Sequence, residues 1–121
     1  MYFELKDKAE SPIENIFLKD CITIGLVVEP QVKIGKYRVD FFIPEKKLII
    51  EVDGKDWHNT TSQIARDNER DWFLMWEKGL RIIRITGSAV FNNGENIAAD
   101  IKGFMNSEEF IDNRIGWWKY E

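Results

Sequence analysis

The sequence predicts an α/β fold, a mixed four-stranded sheet flanked by helices in the order α-β-β-β-α-β-α. Two observations lead there. Three successive runs rich in β-branched and aromatic residues, Val27–Ile34, Tyr37–Ile43 and Lys47–Asp53, are separated only by Gly35-Lys36 and Pro44-Glu45-Lys46. That is the pattern of an antiparallel meander. A fourth run, Leu80–Thr86, follows a helical segment instead of a turn, so it joins the sheet by a crossover.

The elements follow in order. Ser11-Pro12-Ile13-Glu14 is a helix start, with Ser at the cap, Pro in the first turn and Glu at the third position. Ile13, Phe17, Ile16 and Cys21 continue it as an apolar stripe, and Gly25 ends it. After the meander, Thr60–Lys78 reads as a long helix capped by Thr60, Thr61 or Ser62 and stopped by Gly79. Its apolar face is Ile64, Ala65, Trp72, Phe73, Met75 and Trp76. Asn96–Asn106 is a further helix, and Ser107–Glu121 a tail with a short helix ending in Trp117-Trp118.

With 121 residues, of which 44% are hydrophobic and 13% aromatic, a single domain with its own core is expected. Residues 1–10 are an N-terminal extension to it and 107–121 its tail. The lone Cys21 excludes an internal disulfide framework and fits a reducing compartment. The first ten residues lack the apolar run of a signal peptide, and no segment reaches the roughly 20 apolar residues of a membrane span. A soluble, cytoplasmic protein without membrane contact is the expectation. A net charge of −4 argues against nonspecific coating of nucleic acid, but not against an enzyme whose acids hold cations.

The chemistry concentrates in the second hairpin. Alternation puts Val39, Phe41 and Ile43 on one face of their strand, and Arg38, Asp40 and Phe42 on the other. Pairing Ile43 with Leu48 aligns Phe41 with Ile50 and Val39 with Val52 in an apolar row. The opposite face then pairs Phe42 with Ile49, Asp40 with Glu51 and Arg38 with Asp53. Two directly opposed carboxylates, their Cβ atoms roughly 5 Å apart, repel each other unless a cation lies between them. Hard Mg²⁺ suits such a pair. Each acid taken alone is most simply a solvated residue on the wet face of a sheet. Together, interleaved with Phe42 and Ile49, they point to a metal site.

Other candidates surround the pair. A Gly35-Lys36 turn sets Gln31 beside Asp40 and Lys33 beside Arg38. Asp53 adds a third acid, with Arg38 as partial counter-charge. Glu14 comes from the preceding helix. His58, the only histidine, follows in Asp53-Gly54-Lys55-Asp56-Trp57-His58 and has a pKa suited to proton transfer. On the next helix, Arg66 and Arg70 are either a solvated face, with an Asp67–Arg70 pair, or phosphate-holding groups.

Together, Ser11-Pro-Ile-Glu14, Gln31, Tyr37-Arg-Val-Asp40-Phe-Phe-Ile-Pro44, Leu48-Ile-Ile-Glu51-Val-Asp53-Gly54 and His58 resemble the very-short-patch-repair-like nucleases, a branch of the PD-(D/E)XK superfamily. Arg66-Asp67-Asn-Glu-Arg70 and Leu80-Arg-Ile-Ile-Arg84-Ile continue the likeness, which runs from about Ser11 to Asp100. The resemblance implies a restriction-endonuclease-like core that hydrolyses phosphodiester bonds in DNA with Mg²⁺, for which Mn²⁺ substitutes. It implies Asp40, Glu51 and the Val52 carbonyl as metal ligands, and Glu14 as a helix-borne acid acting through water. His58 falls near the histidine that the repair enzymes use next to the metal site. The expectation from the residues themselves is that His58 or Gln31 handles the water or leaving group and that Arg38, Arg66 and Arg70 hold the phosphates of the DNA. One departure stands out: the superfamily's Lys after the second acid is replaced by Asp53. Lys33, Arg38 and Lys55 are the candidates for the missing cation. One Cys and one His cannot build a structural zinc site. A non-catalytic module on nucleic acid or protein is the rival reading. A subunit of a larger restriction, repair or mobile-element system, as a homodimer or with a targeting partner, is compatible with both.

Overall fold

The computed structural model describes residues 11–53 and 61–105. The expectations for residues 1–10, for Lys55 and His58, and for the tail with Trp117-Trp118 lie outside the described residues. The elements are α1 (Pro12–Ile24), β1 (Glu29–Ile34), β2 (Tyr37–Ile43), a 3₁₀ turn (Pro44–Lys46), β3 (Leu48–Asp53), α2 (Thr61–Trp72) continued by a π-helical turn (Phe73–Glu77), β4 (Arg81–Thr86) and α3 (Gly87–Met105). The sheet order is β1-β2-β3-β4, antiparallel except for the parallel β3–β4 pair that the crossover through α2 permits. The expected order of elements and mixed sheet are thus present.

Local chemistry accounts for the boundaries. The Ser11 side chain accepts from the Glu14 N–H, satisfying one of the first-turn donors of α1. Gly25 ends that helix in the left-handed region (φ 85°), where its N–H and that of Leu26 donate to the Cys21 carbonyl. Gly35, at φ 61°, forms the β1–β2 turn, and a Cβ there would lie 2.6 Å from the Phe73 ring. That ring packs at a tilt against Tyr37 with centroids 5.4 Å apart, fastening the hairpin to the end of α2.

Two apolar layers enclose the sheet. The larger packs Phe17, Leu18 and Cys21 of α1 and Val90, Ile97, Ala98 and Ile101 of α3 on Phe41, Ile43, Ile50 and Ile85. The smaller joins Val39, Ile49, Leu74, Leu80 and Ile82, with Phe42 and Phe73 at its margin. Burial of Glu51 in such surroundings is what makes its charge expensive.

Several expectations are corrected. Val39 packs in the smaller layer and Phe41 in the larger, so the single apolar row breaks at Asp40. The cause lies next door: Gln31 adopts φ 52°, a left-handed conformation that interrupts strand alternation opposite Asp40. Trp72, Met75 and Trp76 are exposed instead of lining the core. Beyond Trp72 the π-turn changes the residue-to-residue rotation, and Leu74 is the side chain that becomes buried. The first strand begins at Glu29 and not at Val27. The last helix begins at Gly87 instead of Asn96, with Thr86 Oγ1 accepting from the Ala89 N–H, and is kinked at Asn93. No helix among the described residues is long and apolar enough to cross a membrane.

Candidate active site

The β2–β3 ladder has the expected register, Ile43 with Leu48, Phe42 with Ile49 and Phe41 with Ile50, and stops there. One step further on, side chains take the place of the ladder. The Asp40 N–H donates to Glu51 Oε2 (3.2 Å), and the Val52 N–H donates to Asp40 Oδ2 (2.9 Å). The two carboxylates thus interlock with backbone at the opening between the strands. They are close neighbours as expected, but each is wedged against the other's strand.

The position is electrostatically costly. Burial, reinforced by the charges of Glu51 and Glu14, pushes the Asp40 carboxyl up to about 7 despite the Val52 N–H and Arg70, which act the other way. Glu51 is 8% exposed, and its Oε1 lies 2.5 Å from Arg70 Nη2. The same guanidinium reaches the Arg38 carbonyl (3.2 Å) and lies 3.6 Å from Asp71. Arg70 therefore pairs with Glu51 instead of Asp67, and among the described residues it is the cation that forms an ion pair with these acids. Sequence spacing could not reveal this, because the contact requires α2 to lie across the sheet.

Glu14 is buried at the start of α1. Ser11 Oγ donates to its Oε2 (3.0 Å), and Gln31 Nε2 donates to its Oε1 (2.8 Å). Gln31 thus bridges the helix-borne acid to the strand site, at the one β1 residue with left-handed backbone. Such a conformation costs a non-glycine residue roughly 1–2 kcal/mol, and strain of this kind clusters at functional positions. Asp53 ends β3 opposite Thr86. Burial raises its carboxyl, opposed by Arg84. Arg84 is itself held by Asp71 at 2.5 Å, an ion pair absent from the sequence reading.

The remaining candidates differ in how far the structure joins them to the acids. Arg38 is exposed, and its side chain borders a cavity of about 390 Å³ with Gln31, Lys33, Lys36, Tyr37 and Asp40. Arg66 is exposed on α2, and no contact among the described residues links it to the acids. Among the described residues, no three His, Cys, Asp or Glu side chains converge into a ready-made metal cage. The donor set that is present, two interlocked carboxylates beside the Val52 backbone, fits Mg²⁺, which takes one or two carboxylates and keeps several waters. A divalent ion there would offset both the burial that chiefly raises Asp40 and the repulsion from Glu51 that adds to it.

Comparison with known proteins agrees with the fold. The catalytic domain of the homing endonuclease I-Bth0305I superposes with a TM-score of 0.58 over 77% of this chain and 92% of that domain, at 22% identity. At that identity the likeness is one of fold. No curated protein gives a significant sequence match. The family model REase_MTES_1575 matches residues 14–105, which includes Glu14, Gln31, Asp40, Glu51 and Arg70. The chain therefore belongs to the REase_MTES_1575 family of restriction-endonuclease-like nucleases.

Proposed function

We propose that this protein is a Mg²⁺-dependent DNA endonuclease, a single nuclease domain of the very-short-patch-repair-like kind, in which Mn²⁺ substitutes for Mg²⁺. The observation that carries the reading is the interlock of Asp40 and Glu51 where the β2–β3 ladder ends. A buried and a half-buried carboxylate that repel each other lower the stability of a sheet, and a catalytic cation gives them a purpose.

Asp40, Glu51 and the Val52 carbonyl hold the cation, which when bound supplies an activated water and charge neutralisation for phosphodiester hydrolysis. The chain's own groups then have defined tasks. Glu14, fixed by Ser11 and Gln31, presents its carboxylate to water at the site. Gln31 spends its amide N–H on Glu14 and keeps its carbonyl oxygen to accept from a water beside Asp40. Arg70 offsets Glu51 in the free protein and turns to a phosphate oxygen when that charge is met otherwise. This makes Arg70 the replacement for the superfamily lysine that Asp53 displaces. Asp53 acts with Arg84 to hold the end of β3, and His58 serves as proton donor to the leaving oxygen.

A second reading, a nuclease fold that binds without cleaving, is favoured by the same Arg70–Glu51 pair, since an internal cation already satisfies the acid. Conversion of supercoiled plasmid to nicked and linear forms, with Mg²⁺ or Mn²⁺, separates the two. Wild type cleaves and Glu51→Gln does not if the nuclease reading holds. Wild type inert with both metals on single-stranded, duplex and branched DNA leaves the binding module.

A further inference from the structure

We propose that the cavity beside the β1–β2 hairpin binds the phosphodiester backbone of the DNA strand next to the cleaved bond, with Lys33 and Arg38 on either side of one phosphate. The inference rests on the nuclease reading and names where its substrate runs.

Lys33 and Arg38 are direct cross-strand partners in the β1–β2 ladder. Like charges in that relation destabilise a sheet. Both side chains are exposed, and neither has an acidic partner among the described residues. Lys36 adds a third cation, its Nζ 5.3 Å from the centre of the Tyr37 ring. Tyr37 is in turn backed by Phe73. Lys33, Lys36, Tyr37 and Arg38 line one cavity of about 390 Å³ that ends at Gln31 and Asp40. On a chain of net charge −4, three cations with no acid between them form a local positive strip leading to the acidic pair.

The spacing suits a strand of DNA. Arg38, the cross-strand partner of Lys33, stands two residues from Asp40 along β2, about 7 Å at the rise of a strand. That is close to the separation of neighbouring phosphates along one strand. A phosphate between Lys33 and Arg38 therefore sets its neighbour at the acids. It also removes the repulsion between the two cations, as a metal ion does for Asp40 and Glu51.

The test is fluorescence anisotropy with a short labelled DNA duplex in EDTA, where no cleavage occurs, across a series of salt concentrations. Lys33→Gln and Arg38→Gln each weaken binding several-fold and lower the slope of log K against log salt by about 1. Lys46→Gln, at the exposed turn beyond the other end of β2, leaves the slope unchanged. All three positions are exposed, and circular dichroism verifies the fold. Slopes unchanged in Lys33→Gln and Arg38→Gln, the same fall in Lys46→Gln, or no binding at all overturn the proposal. Its failure is separable from that of the nuclease reading. Plasmid cleavage with unaltered slopes sinks the groove alone, while groove binding without cleavage in Mg²⁺ sinks the enzyme alone.

Discussion

Arg70 reaches from α2 to place Nη2 2.5 Å from Glu51 Oε1, while the other oxygen of that carboxylate accepts from the Asp40 backbone. A helix thus supplies the charge that a buried strand residue needs in the absence of a metal ion. A divalent ion held by Asp40 and Glu51 would compete with the guanidinium for one carboxylate, and that competition is measurable.

Arg70→Gln leaves Glu51 buried without its counter-charge. Loss of one partner from a fully buried pair costs about 3–5 kcal/mol. Arg70 is 18% exposed, so the cost here is about 2 kcal/mol. Calorimetric melting in EDTA detects it as a lowered Tm. The variant also gains more from added Mn²⁺ than wild type, because the metal meets no competing cation. An equal Mn²⁺ upshift in both proteins refutes the competition.

Asp40 gives the free protein a pH dependence of defined sign. Its folded pKa of about 7 lies above the ordinary 3.8, so between these values the folded chain keeps a proton that the unfolded chain has lost. Its contribution to stability is therefore fully present below pH 4, falls as pH rises through that window and is gone above about 7. Melting curves from pH 5 to 8.5 show wild type losing stability relative to Asp40→Asn, which keeps an oxygen for the Val52 N–H. Parallel curves for the two proteins contradict the assignment.

Gly35 and Gly79 share a left-handed backbone but not an environment. A Cβ on Gly35 runs into the Phe73 ring, whereas one on Gly79 meets nothing within 4 Å. Gly79→Ala pays for the backbone alone, about 1 kcal/mol. Gly35→Ala adds overpacking and reaches about 2–4 kcal/mol. Urea denaturation midpoints rank the two. Equal losses mean that the Phe73 contact does not hold the hairpin.

What the chain shows of itself before folding depends on the range of the interaction. The Ile43–Leu48 register is set by alternation and a short turn, both local, so it is readable. Ser11 and Glu14 are three residues apart, and their reciprocal contact is equally plain. Alternation puts Val39 in one row with Phe41, in the wrong layer, because it takes no account of the left-handed backbone of Gln31, for which glutamine carries no signal. Periodicity puts Met75 and Trp76 in the core because it takes no account of a π-turn. The Arg70–Glu51 and Arg84–Asp71 pairs arise only when helix and sheet pack. The acids were therefore legible as a group, but the cation that answers them was not.

A crystal soaked in Mn²⁺ and measured for anomalous scattering tests whether Asp40 and Glu51 form a divalent-cation site. A peak is expected between the Asp40 and Glu51 carboxylates, with the Arg70 guanidinium moved off Glu51. No peak at these acids, with Arg70 still seated on Glu51 at millimolar Mn²⁺, would contradict it.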